Sequence, residues 1–309
     1  MSRRLLTALA ISVACASLAA QEPVFRSTVE VVRLDVSAVR DDEPTRMLKP
    51  QDLIVTDNGV PQEVVSLTLD QQPLSVLMVL DTSASMTGDK LNHLADAARA
   101  IVASLRPTDR AAIIGFSHAV QINTGLTANR DRLNQAIGSL QAGGATSLRD
   151  ALFAALQLTP VDDSRPMVLL FTDGDDNSSW LTDAEVMEAV RRTAVTVDII
   201  DVPETRSATL ADWDVRVGRA ALPARRFLQQ VVDASGGRAW SSGSPRDLRD
   251  LFVRALADMR GRYVLSFYPR GVSRDGWHRV EVKLRGPGAV RARPGYYVTP
   301  MAFRPDGDR

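Results

Sequence analysis

Leu74-Ser75-Val76-Leu77-Met78-Val79-Leu80 runs without a break into Asp81-Thr82-Ser83-Ala84-Ser85. An apolar run of this length, ending abruptly in a carboxylate and two hydroxyls, predicts a β-strand buried on both faces. Buried strands of that kind belong to parallel sheets covered by helices, and the next segments agree. Leu91, Leu94, Ala98, Ile101 and Leu105 form one stripe at helical spacing. Ala111 to Phe116 is a second apolar strand, and Val120 and Ile122 suggest a short third one. Leu133–Leu140 and Leu148–Leu158 have helical periodicity, and Met167–Phe171 is again a buried strand. Thr182–Arg192 reads as a helix capped by Thr182 with Glu185 three residues on. Val195–Val202 returns to strand, and Phe227–Ala234 and Leu248–Met259 to helix. Strands alternating with helices predict a three-layer, doubly wound α/β domain over residues 74–258 with a mostly parallel sheet. Residues 203–223 carry mixed charge and no period, so a surface loop is expected there.

Both flanks read as β structure. On the amino side, over residues 21–73, Val29 to Val36 alternates and Asp57-Asn58-Gly59-Val60 is a turn signal before Glu63-Val64-Val65-Ser66-Leu67. On the carboxyl side, over 259–300, Tyr263–Tyr268, His278–Leu284 and Val290–Val298 read as strands, the last interrupted by Pro294-Gly295. Each flank is too short to bury much apolar surface alone, so the two are expected to pair into one small β module. Residues 301–309 form a tail.

The first twenty residues have the three parts of a secretory signal peptide. Arg3 and Arg4 supply the charge, Leu5–Leu18 the apolar stretch, and Ser17-Leu18-Ala19-Ala20 the small residues before Gln21. That stretch falls short of the roughly 18–20 residues a membrane span needs. Ser12-Val13-Ala14-Cys15 is a poor lipoprotein box, with Ser12 where a bulky aliphatic belongs. Cleavage after Ala20 removes Cys15, the only cysteine, so neither a disulfide framework nor a thiol nucleophile is expected. The chain has 37 basic and 37 acidic residues, and losing Arg3 and Arg4 leaves the mature form slightly acidic. No nucleic-acid partner is expected from such a balance.

The chemistry gathers at strand ends. Asp81-x-Ser83-x-Ser85 closes the first strand, Thr172-Asp173-Gly174 closes the fourth long one, and Gly143-Gly144-Ala145-Thr146-Ser147 is a flexible loop entering a helix. In an open parallel sheet all three can converge beyond the carboxyl ends of the strands. They offer carboxylates and hydroxyls, hard oxygen donors suited to Mg²⁺, Mn²⁺ or Ca²⁺. This arrangement resembles the metal-ion-dependent adhesion site of von Willebrand factor type A (vWA) domains. The resemblance implies that Ser83, Ser85 and Thr146 ligate a divalent metal directly, that Asp81 and Asp173 act directly or through water, and that a carboxylate of a protein partner fills the last position. The flanks are similar to those of secreted bacterial VWFA-related proteins of the acidobacterial type. Phe25-Arg26-Ser27-Thr28-Val29, Leu53–Gly59, Tyr263–Tyr268 and Val290–Tyr297 carry that second likeness.

Other motifs weigh less. Gly115-Phe116-Ser117-His118-Ala119 imitates a nucleophile elbow, but a helix must follow the serine and Ala119–Asn123 alternates like a strand. Asp173–Asn177 hints at a calcium loop, but Ser178 stands where glycine is required and Ala184 where the closing glutamate belongs. Asp175 and Asp176 are then expected to be a solvated rim, Trp180 either a packed residue or an anchor for a partner, and the Tyr296-Tyr297 pair strand packing. The expected function is exported, metal-dependent protein binding without catalysis. A metal-dependent hydrolase or phosphatase, and a structural envelope protein with a vestigial site, are the alternatives; the first would need a general base or nucleophile near Asp81.

Overall fold

The computed structural model describes residues 31–40, 43–45, 47–69, 72–172, 176–201, 223–241, 244–273 and 275–298. The leader, loop residues 202–222, Asp173 to Asp175 and the tail lie outside the described residues.

The central domain is built on a six-stranded sheet. Its strands are β6 (Leu74–Asp81), β7 (Arg110–Phe116), β8 (Val120–Thr127), β9 (Arg165–Thr172), β10 (Thr196–Asp201) and β11 (Ala239–Ser241). Their order is β11-β10-β9-β6-β7-β8, parallel throughout except for β8, which runs antiparallel to β7 at one edge. Every residue of β6 is buried, as its unbroken apolar run requires. Side chains alternate between two cores. Val76, Met78 and Leu80 pack under α1 (Asp89–Ser104), α2 (Arg130–Gly138) and α6 (Leu248–Arg260). Leu77 and Val79 pack under α3 (Leu148–Gln157), α4 (Asp183–Arg192) and α5 (Pro223–Ser235). Three layers result, with the change of winding direction at β6. The Thr182–Glu185 capping box of α4 forms as its sequence predicts.

The flanks pair with each other. β1 (Val32–Arg40) lies antiparallel to β12 (Tyr263–Phe267) and β14 (Ala289–Arg291), and β12 to β5 (Val64–Leu69). Facing them, β3 (Leu53–Asp57) pairs with β4 (Val60–Gln62) and β13 (Gly276–Leu284), and β13 with β15 (Gly295–Val298). A two-residue strand, β2 (Glu43–Pro44), pairs with β1. The Asn58-Gly59 turn has positive φ at both residues, 47° and 83°, the geometry that tight hairpins demand. Leu34, Val36, Leu265 and Phe267 from one sheet meet Leu53, Val55 and Val280 from the other in a third core. The segment expected as one strand over Val290–Val298 is two, β14 and β15, in different sheets.

This sandwich docks at the amino ends of the parallel strands. Arg165, the first residue of β9, donates from Nε to Asp35 Oδ1 at 2.8 Å, and Thr196, the first of β10, donates its hydroxyl to Asp35 at 3.3 Å. The carboxyl ends of the strands therefore face away from the sandwich.

Candidate metal centre

Asp81 is wholly buried at the end of β6. Its Oδ1 accepts the Ser83 N–H at 2.9 Å and its Oδ2 accepts the Thr172 hydroxyl, from the end of neighbouring β9, at 2.8 Å. Both of these donors are neutral, so they orient the carboxylate without cancelling its charge. The chain then leaves the sheet in a single 3₁₀ turn, Ala84–Met86. That turn places Ser83 Oγ 3.0 Å from Ser85 Oγ. Ser83 is buried and Ser85 exposed, so the pair spans the boundary between protein and solvent.

The loop 143–147 is stitched onto the same turn. Gly143 N donates to Thr82 O at 2.8 Å, and Ala84 N donates to Gly144 O at 3.0 Å. Gly144 has φ +84°, a conformation that favours glycine, and a Cβ there would stand 2.4 Å from the side-chain Nδ1 of exposed His118, which would have to shift. Two residues further on, the backbone of Thr146 is fully engaged. Its N–H donates to Asn177 Oδ1 at 2.7 Å, and its carbonyl accepts from Asn177 N and Ser178 N at 3.0 and 3.1 Å. The Thr146 hydroxyl makes no hydrogen bond with the described residues.

Asp81, Ser83, Ser85 and Thr146 are thus carried by segments that hydrogen-bond to one another at the switch point of the sheet. Asp173 lies outside the described residues, although Thr172 before it touches Asp81. The donor set suits a small hard cation. The two serine hydroxyls are hydrogen-bonded to each other at 3.0 Å, a separation compatible with adjacent ligands of an octahedral Mg²⁺ site, which at about 2.1 Å stand roughly 3.0 Å apart. Among the described residues no three His, Cys, Asp or Glu side chains gather as a metal cluster.

Residues 76–175 match the von Willebrand factor type A domain family. The chain is a vWA domain protein. A stretch of 139 residues, 40% of the chain, is 28% identical to inter-alpha-trypsin inhibitor heavy chain H2 of Mesocricetus auratus. A stretch of 136 residues is 30% identical to heavy chain H4 of Homo sapiens. The matches cover 14% and 15% of those proteins, so the chain spans only a small part of the length of these relatives. Among solved structures, the von Willebrand factor type A structure from Catenulispora acidiphila matches 90% of this chain and 76% of that one, at TM-score 0.51 and 14% identity. That likeness concerns the fold.

Several residues of the vWA site region have roles the sequence does not advertise. Thr172 steers Asp81, and Asn177 clamps Thr146. Asp176, expected at a solvated rim, is instead tucked in. It pairs with Arg149 at 3.1 Å and accepts from Arg149 N and from Ser179 N and Oγ. At Ser117 no helix follows. Ser117 N donates to Ala119 O in the tight connection to antiparallel β8, so the geometry of a nucleophile elbow is not present.

Proposed function

We propose that this vWA domain is an exported, divalent-metal-dependent protein-binding module. Ser83, Ser85 and Thr146 would hold one Mg²⁺ (or Mn²⁺ or Ca²⁺) directly, with Asp81 and Asp173 acting directly or through water. The bound ion would supply an electrophilic point for a carboxylate on a protein partner. The observation that carries the reading is the 3.0 Å pair of serine hydroxyls above the buried, oriented Asp81 carboxylate. A set rich in neutral hydroxyls leaves the cation poorly neutralised, and Mg²⁺ seldom fills its coordination from protein alone. Both facts favour an external acidic ligand over a closed structural site.

Calorimetric titration of Mg²⁺ and Mn²⁺ into the full chain tests this. Wild type should bind one ion saturably. Asp81→Ala and Ser85→Ala should bind at least tenfold more weakly, and Ser85→Ala should keep the wild-type fold because Ser85 is exposed. Absence of saturable binding in wild type, or unchanged affinity in both variants, would refute the site. The proposed organisation is a leader ending at Ala20, β segments 21–73 and 259–300, and the vWA domain over 74–258. N-terminal sequencing of exported protein should begin at Gln21; a lipid-modified Cys15 terminus would replace export by cleavage with membrane anchoring.

A further inference from the structure

The loop between β9 and α4 holds a large aromatic side chain in water. Trp180 is 93% exposed, and its indole makes no hydrogen bond or ring contact with the described residues. From Asp176 onward the loop beneath it is nonetheless fixed at nearly every step. Asn177 and Ser178 are bonded to Thr146, and Ser179 donates to Asp176 from both its N–H and its hydroxyl. Trp180 N donates to Asp150 at 3.0 Å, and Leu181 N donates to the same carboxylate at 3.0 Å. The capping box at Thr182 follows immediately. A flexible loop could tuck its tryptophan away, but this one is held so that it presents it.

Location gives that exposure a meaning. Ser178 N is 3.1 Å from Thr146 O, and two peptide units separate Ser178 from Trp180, at most about 7.6 Å between Cα atoms. Trp180 is therefore carried by the same loop that clamps Thr146, at the carboxyl end of the sheet, on the side turned away from the β sandwich. Tryptophan is enriched among the residues that dominate binding energy, and a preorganised aromatic loses little entropy when covered.

We propose that Trp180 is the second contact of the binding face. The partner is then a protein segment carrying an acidic residue with an aliphatic or aromatic residue within three or four positions of it. An extended segment advances about 3.3 Å per residue, so three or four positions let one segment reach about 10–13 Å along the face. The inference rests on the metal-site reading.

The test uses synthetic peptides with one Glu in a Gly-Ser background. In one set a Leu or Phe stands two to four residues from the Glu; in the other Ser replaces it. Binding to the full chain is read by fluorescence anisotropy in Mg²⁺ and in EDTA. On wild type the apolar residue should strengthen Mg²⁺-dependent binding about tenfold or more. Trp180→Ala should abolish that advantage, Trp180→Phe should keep most of it, and the thermal midpoints of both should match wild type. No advantage on wild type, or an advantage that survives Trp180→Ala, overturns the anchor. Calorimetric metal uptake without the apolar advantage overturns the anchor alone. An apolar advantage that depends on Trp180 but persists in EDTA keeps the anchor and overturns the metal reading.

Discussion

Tyr296 shows how a side chain predicted to pack can do more. It stacks on His278 with ring centroids 4.7 Å apart and meets Phe267 edge-on at 6.3 Å. Its hydroxyl also donates to Asp57 Oδ2 at 2.6 Å, while His278 Nδ1 lies 2.9 Å from Asp57 Oδ1. Asp57 and His278 are both fully buried. Burial and the Asp57 carboxylate push the Tyr296 phenol well above its ordinary range, so it remains a neutral donor. Hydrogen bonds to a charged group contribute about 1.5–3 kcal/mol. Tyr296→Phe should therefore lower unfolding free energy by about 2 kcal/mol in urea, with the metal titration unchanged. A loss below about 0.5 kcal/mol would reduce Tyr296 to a packing residue. His278 is packed in the core; its Nε2 is buried without a partner among the described residues.

At the scale of elements, what the sequence reveals follows burial. β6, β7, β9 and β10 are covered on both faces, so each shows as an apolar run. β8 is an edge strand whose alternation includes Gln121 and Asn123, and only its first residues stand out; it continues to Thr127. β11 has three residues, too few to show a period, and goes unread. Val290–Val298 looks continuous because Pro294-Gly295 is only a local interruption in sequence. In space Gly295 approaches His278 so closely that a Cβ would stand 2.2 Å from its carbonyl, which fixes the break between sheets. The candidate site divides the same way. Asp81, Ser83, Ser85 and Thr146 are legible from residue type and strand-end position. Thr172 and Asn177 are not, because their partners lie 91 and 31 positions away in sequence.

For the whole molecule the decisive contacts join the sandwich to the vWA domain. Arg262, between α6 and β12, is 1% exposed. It donates to Asp258 at 2.8 Å, to Gly236 O at 2.9 Å and to Asp198 at 3.3 Å. Arg293 caps the end of α4 through the carbonyls of Thr193 and Arg191. Burial draws its guanidinium down to about 10, still protonated near neutral pH. Removing one partner of a buried ion pair costs about 3–5 kcal/mol. Arg262→Leu should show a loss of that order in urea unfolding; one under about 1 kcal/mol would mean Asp198 is satisfied by Trp240 Nε1 and the Arg238 N–H alone.

The opposed placement of sandwich and hydroxyl site also has a mechanical side. Asp35 grips β9 at Arg165, and the far end of β9, at Thr172, touches Asp81. The eight-residue strand carries one grip at each end, seven steps or roughly 23 Å apart at the rise of a parallel strand. Tension applied at Ser83 and resisted at the sandwich would run lengthwise along β6 and β9. The ladder between those strands lies across that pull, so its rungs would share the load in shear and resist together instead of peeling open one after another.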